Sequence, residues 1–250
     1  MTEIGIMTEY DVRGFHDMFR DQFPNFAVAT GLENLNPLPS EGAINQTTAN
    51  LIIGEPPRRF WFTSADGAFV LQAQENMLAL NWRRRGFKPN TPSDYPGFEA
   101  MLGMFRGIYD KVRDARDGQH PMPNPASCEL LYDNMLSLRD GHGNQLRLEQ
   151  ALREIRPGDS QIGKLGWRMA WHELFEDAPD PKSTSFSVQI STGGALVADT
   201  SDICPVARIE FSSRSLVKGW DDVFSFFEKA RFRTHARLEA LTTKEVRASW

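Results

Sequence analysis

The sequence predicts an α+β fold, with antiparallel sheet meanders and long amphipathic helices packed on one face. Two observations carry that class. Runs of apolar alternation follow one another directly, separated by turn signals, instead of alternating one by one with helices. Two longer stretches, from Phe98 and from Trp220, carry apolar residues at three–four spacing. Each follows a set of strands. The chain therefore reads as a single α+β domain over 1–250, with two similar halves at 1–140 and 141–250. No sequence repeat accompanies the halves.

Taken in order, Glu3 to Met7 is a short edge strand. Asp11 to Phe23 is helical, with Val12, Phe15, Phe19 and Phe23 at helical spacing and Pro24 as the stop. Residues 24–57, with Asn36-Pro37-Leu38-Pro39 and Pro56-Pro57, read as a long loop, of a length that is functional or mobile. Arg58 to Trp82 is the clearest segment and holds three strands. Phe60 and Phe62 alternate with Trp61 and Thr63. Asp66-Gly67 turns the chain, Phe69 to Gln74 returns, Gln74-Glu75-Asn76 turns again, and Met77 to Trp82 completes the meander.

A loop from Gly86 to Ser93 leads into the best helix, whose start is marked by Ser93-Asp94 and Pro96. Phe98, Met101, Leu102, Phe105, Ile108, Tyr109 and Val112 form its apolar stripe, opposite Glu99, Arg106, Asp110 and Arg113. Ser127 to Leu138 is a strand bounded by Asp140-Gly141 and Gly143-Asn144. Leu146 to Ile155 reads as a short helix. Leu165 to Phe175 and Ser185 to Thr192 are strands, Gly193-Gly194 is a turn, and Ala195 to Thr200 and Val206 to Ser212 complete the second sheet. Trp220 to Arg237 is the second long helix. Thr242 and Glu245 form a capping box for a last short helix that ends at Trp250.

Composition narrows the function. With 40% apolar residues the chain can build a core. A net charge of −5 gives no global pull toward nucleic acid or anionic lipid. The opening MTEIGIMTEYD lacks a basic segment followed by an apolar run, and nothing approaches the ~20 apolar residues of a membrane helix. These features, with only Cys128 and Cys204, predict a cytoplasmic protein with reduced, buried thiols.

No segment spells out a reaction. Trp171-His172-Glu173-Leu174-Phe175-Glu176 places His beside Glu, but the zinc-protease pattern needs a second His where Glu176 stands. In a strand, His172 and Glu173 also point to opposite faces. Cys128 would need a spatially adjacent His to act as a nucleophile. Asp140 to Asn144 lacks the frame of a phosphate loop. No cofactor or metal is expected.

The sharpest polar cluster is Arg83-Arg84-Arg85 after Trp82. Guanidinium groups beside an aromatic suit carboxylate or phosphate partners, although charge runs usually sit in water. The leading expectation is a non-enzymatic protein that binds another macromolecule, most readily a protein, through Trp82, Arg83, Arg84 and Arg85. The rivals are an enzyme assembled around Cys128, His172 and Glu173, and a nucleic-acid-binding protein using Arg83 to Arg85.

Several motifs together resemble one family. They are Trp61-Phe62-Thr63-Ser64-Ala65-Asp66-Gly67, Leu78 to Arg83 with its Leu-Asn-Trp-Arg core, and Tyr95-Pro96-Gly97-Phe98-Glu99. Cys128-Glu129-Leu130 with Tyr132 and Asn134, and the tail from Leu241-Thr242 to Trp250, complete the set. In order and spacing they are similar to a sporadically distributed, uncharacterised prokaryotic family of roughly this length. The opening strand is shorter here, and Arg231 stands where a histidine is common. The resemblance implies no catalytic site. It implies an accessory protein of defence or mobile-element systems.

Overall fold

Phe60 and Phe62 set the first sheet. They alternate with Trp61 and Thr63, so a strand buries both rings on one side. The structure, a computed structural model, describes residues 12–30, 58–74, 76–84, 86–89, 94–116, 122–140, 143–153, 167–173, 175, 183–198, 200 and 202–247. The expected strand at Glu3–Met7 lies outside the described residues. The chain is α+β, with two antiparallel sheets, and it divides into two compact units. One is Met1–Arg85 with Tyr95–Asn124. The other is Gly86–Asp94 with Pro125–Trp250.

Among its described residues the first unit holds helix α1 (Val12–Phe19), followed by β1 (Asn25–Thr30), β2 (Arg58–Thr63), β3 (Phe69–Gln74) and β4 (Met77–Trp82). The strands pair in sequence order, β1-β2-β3-β4. β1 corrects the expectation of a loop from residue 24. Phe26 and Val28 stand opposite Phe62 and Phe60, so six residues with apolar alternation find a ready partner edge. The rest of that loop, 31–57, lies outside the described residues. Phe15, Phe19 and Phe23 pack with Phe60, Phe62 and Leu71. The Phe15 ring sits 4.8 Å from Phe19 and 5.1 Å from Phe62.

The β2–β3 turn is held by side chains. Ser64 Oγ donates to Asp66 Oδ1 at 2.6 Å and accepts from Phe69 N at 3.0 Å, and Gly67 takes the left-handed φ of 75°. Helix α2 (Phe98–Ala115) starts later than Ser93-Asp94 suggests. Its N-cap is Gly97 at φ 91°, with no side-chain cap. Ile108 and Val112 carry the helix into the same core as Phe62 and Leu71.

The second unit holds β5 (Ser127–Ser137), α3 (Leu148–Ala151), β6 (Arg168–Glu173), β7 (Thr184–Leu196), β8 (Ile203–Leu216), α4 (Trp220–Leu241) and α5 (Lys244–Arg247). The sheet order is β5-β8-β7-β6. β5 therefore pairs over its whole length with β8, and both lie in the unit that takes up the chain from Pro125. Helix α3 is shorter than Leu146–Ile155, because Leu152 turns extended and bridges Thr242.

The turn expected at Gly193-Gly194 is absent. β7 runs through both glycines, opposite Val206 and Pro205. Gly194 lies so close to β8 that a Cβ there would come within 2.5 Å of Ile203 Cγ2. Close strand approach, not a turn, explains this glycine. Thr242 likewise caps no following helix with its hydroxyl. Its Oγ1 donates back to Leu238 O at 2.6 Å and closes the end of α4.

Candidate functional site

The long strands of the second unit alternate apolar and polar residues, which gives the sheet two unlike faces. One face carries Phe186, Val188 and Ile190 of β7 beside Ile209 and Phe211 of β8. These share a core with Val223, Phe226, Ala230 and Leu241 of α4. The other face is polar and faces solvent. Its first row is Glu129, Arg214 and Ser185, and its second is Leu131, Ser212, Ser187 and His172. Asp133, Glu210, Gln189 and Ala170 follow, and then Met135, Arg208, Ser191 and Arg168.

Register turns this face into a network. Arg208 grips Asp133 bidentately, with Nε at 2.7 Å and a terminal nitrogen at 2.6 Å. Arg214 Nε donates to Glu129 Oε1 at 2.9 Å, and Ser212 Oγ donates to the same oxygen at 2.6 Å. Arg168 donates to Gln189. With Glu210, 3.5 Å from Arg208, the face carries three acids and three arginines. Between them Leu131 and Met135 stand 53% and 48% exposed on the edge strand β5.

The enzyme candidates do not meet. Cys128 sits on β5 and Glu173 on β6, the two edges of the sheet, three strand spacings or about 14 Å apart. His172 lies on the opposite face from both, in the row of Leu131. Cys128 is buried, and that desolvation pushes its thiol up to about 12. Among the described residues, no group of three or more His, Cys, Asp or Glu side chains is arranged to hold a metal ion.

Glu173 has a different task from the one its neighbour His172 suggested. On the helix side of β6 it accepts from Trp171 Nε1 at 2.9 Å and from Arg233 at 3.2 Å, and Arg237 Nε lies 2.5 Å from Oε1. The Arg233 guanidinium also lies 5.4 Å from the Phe186 ring centroid, and that of Arg237 lies 5.5 Å from Trp171. One carboxylate thus ties the edge strand to α4. Sequence spacing gave no sign of this, because the partners are about sixty residues away.

The arginine cluster is spread out by the same kind of local engagement. Trp82 ends β4 half-buried, with its ring 5.2 Å from Tyr95. Arg83 turns back on the hairpin. Its backbone N donates to Ala68 O and its Nε to Gly67 O, both at 2.9 Å. Arg84 is half-buried. Arg85 lies outside the described residues.

No family model, curated protein or solved structure matches the chain. No described helix is long and apolar enough to cross a membrane.

Proposed function

We propose that the chain works by binding another protein, and that the polar face of the second sheet is the surface that does so. One observation carries this reading. A four-stranded face displays balanced acids and arginines around two exposed apolar side chains, Leu131 and Met135. A mixed-charge surface with an apolar centre suits a protein partner of similarly mixed charge. A polyanion would instead favour an excess of cations. The scatter of Cys128, His172 and Glu173 supports binding over catalysis.

Trp82, Arg83 and Arg84, with Arg85, form a second proposed contact. It is secondary because Arg83 already braces the β2–β3 turn. The motif resemblance extends the proposal to a cytoplasmic accessory protein of prokaryotic defence or mobile-element systems. The succession of strands and a long helix in each unit supports the further proposal of a shared plan, a sheet with long helices on one face.

The test uses the tagged full chain. A co-purifying protein is identified, produced alone and titrated against wild type, Leu131→Arg/Met135→Arg, and Arg83→Ser/Arg84→Ser/Arg85→Ser. The first variant weakens binding at least ~10-fold and the second less, since central apolar contacts outweigh rim charges. Equal affinity for wild type and Leu131→Arg/Met135→Arg removes the sheet face. Recovery of nucleic acid alone, with affinity falling steeply in salt, replaces the reading with the nucleic-acid one.

A further inference from the structure

The edge of the second sheet that carries Leu131 and Met135 lacks the usual guards. β5 pairs with β8 along one side, in a register unbroken from Ser127 opposite Leu216 to Ser137 opposite Val206. Among the described residues, no strand and no isolated bridge lies against its other side. Edge strands are ordinarily blunted by shortness, a bulge, proline or lysine. β5 has 11 residues and none of these devices. In an antiparallel pair every second residue turns its N–H and C=O to the partner, so about half of the β5 peptide groups point away from β8. The opposite edge strand, β6, has six residues and is tied to α4 through Glu173.

The side chains beside this edge have a definite pattern. On the polar face Leu131, Asp133 and Met135 follow one another at alternate positions, and all three are exposed. The charge around them is not balanced locally. On β5 and β8 this face carries Glu129, Asp133 and Glu210 against Arg208 and Arg214, while Arg168 stands on β6 at the far edge. Arg214 is committed to Glu129 at 2.9 Å. Asp133 and Glu210 stand directly opposite each other and share Arg208, at 2.6 and 3.5 Å. Two carboxylates around one guanidinium leave one negative charge in surplus, between two apolar side chains. An added strand sets its side chains directly opposite those of the edge, so a cation facing Asp133 and apolar residues facing Leu131 and Met135 complement the pattern. A second copy of this chain fits less well. The antiparallel register that sets Leu131 against Met135 of the other copy also sets Asp133 against Asp133, and like charges directly opposite are unfavourable.

We infer that β5 takes up an extended segment of the partner protein as a fifth strand, with a lysine or arginine facing Asp133 and an apolar residue two positions to either side of it. The inference rests on the reading of the polar face as a protein-binding surface, and names the mode of binding at its edge. Main-chain hydrogen bonds along β5 supply the affinity, and the alternate side chains set register and selectivity.

The test uses the full chain and a fluorescein-labelled synthetic peptide about as long as β5, with a Val-Thr-Lys-Thr-Val centre between serines and threonines. Two companion peptides carry Glu for the central Lys, or methyl groups on the central peptide nitrogens. Fluorescence anisotropy is expected to show the Lys peptide binding at least about 5-fold more tightly than the Glu peptide, with Asp133→Asn narrowing that gap to within about 2-fold. The methylated peptide keeps its side chains but loses N–H donors, and should bind at least about 10-fold more weakly. Bound peptide should slow hydrogen exchange about tenfold or more in roughly half of the amides of Ser127–Ser137. No binding at ~1 mM peptide, equal affinity for the methylated and parent peptides, or equal affinity for Lys and Glu overturns the inference. So does protection of β5 that rises with protein concentration in the absence of peptide, since a second copy then occupies the edge. The two readings separate cleanly. A partner weakened by Leu131→Arg/Met135→Arg, beside peptides that fail any of these criteria, keeps the polar face as a binding surface and removes strand addition. A partner indifferent to that variant removes both.

Discussion

The two sheets solve the same problem in different ways. The first has six-residue strands paired in sequence order, and its described core is dominated by phenylalanines. The second has strands of up to 14 residues, and its opening strand closes against its last. Its core mixes aliphatic and aromatic side chains from both sheet and helix. Local pairing closes short loops, whereas β5–β8 pairing joins residues some eighty positions apart. The first sheet is thus specified by neighbours in sequence. The second is specified by a register that only long-range closure reveals, and that closure also assembles the polar face.

The largest effects should come from the two cores. Phe62→Ala and Phe211→Ala each delete a ring with no exposed surface, at a cost of ~3–5 kcal/mol. Urea denaturation measures this. An unchanged midpoint in either would remove that residue from the core. The contrast is sharper in refolding kinetics. A variant weakening β5–β8 closure should slow folding of the second unit, as expected for non-local contacts.

Next in size is the clasp at the sheet's edge. Glu173→Gln leaves Arg233 and Arg237 without their shared carboxylate. All three side chains are mostly buried, though not fully, so the loss should be about 1–3 kcal/mol. Thermal melting would show it, and no change in midpoint would mean that the clasp is merely decorative. All three residues belong to the second unit, so the effect should be confined to it.

Cys128 adds a pH arm. Its folded thiol titrates near 12, against a reference value of 9.0. The raised value means the native state holds its proton more tightly. That contribution is full below pH 9 and is lost as pH rises from about 9 toward 12. Alkylation of Cys128 at pH 8 should be slow in the native protein and fast in urea. Rapid native labelling would contradict the burial.

The smallest effect belongs to His235. Burial, and then the charge of Arg231, lower its pKa below 6.5. Stability should decline slightly as pH falls through that reference value and level off below the depressed folded one. His235→Gln should flatten this slope in a melting series, and an identical slope would remove His235 as its source.

Much of the first sheet was legible. Phe60, Phe62, Asp66-Gly67 and Met77 to Trp82 gave strands and a turn at close to the observed positions. β1 was missed because Phe26 and Val28 precede a Pro- and Gly-rich stretch, which dominated the local signal. In the second sheet Gly193-Gly194 misled, since glycine marks close strand approach as well as turns. The polar face could have been found. Ser185, Ser187, Gln189 and Ser191 alternate with Phe186, Val188 and Ile190, which is the pattern of a strand with one solvated face. The Asp133–Arg208, Glu129–Arg214 and Glu173–Arg233 pairs could not, because each depends on register or on helix placement. The arginine cluster was visible as charge, but the return of Arg83 to Gly67 depends on where the hairpin turns.

Oxidative footprinting of the isolated complex tests the binding account most directly, because Met135 is itself a reporter. The account predicts that Met135 and Leu131 become protected when the partner binds. Phe232, 76% exposed on α4, should keep its free-state reactivity. Unchanged oxidation of Met135 in a stoichiometric complex, with protection appearing at Phe232 instead, would contradict it.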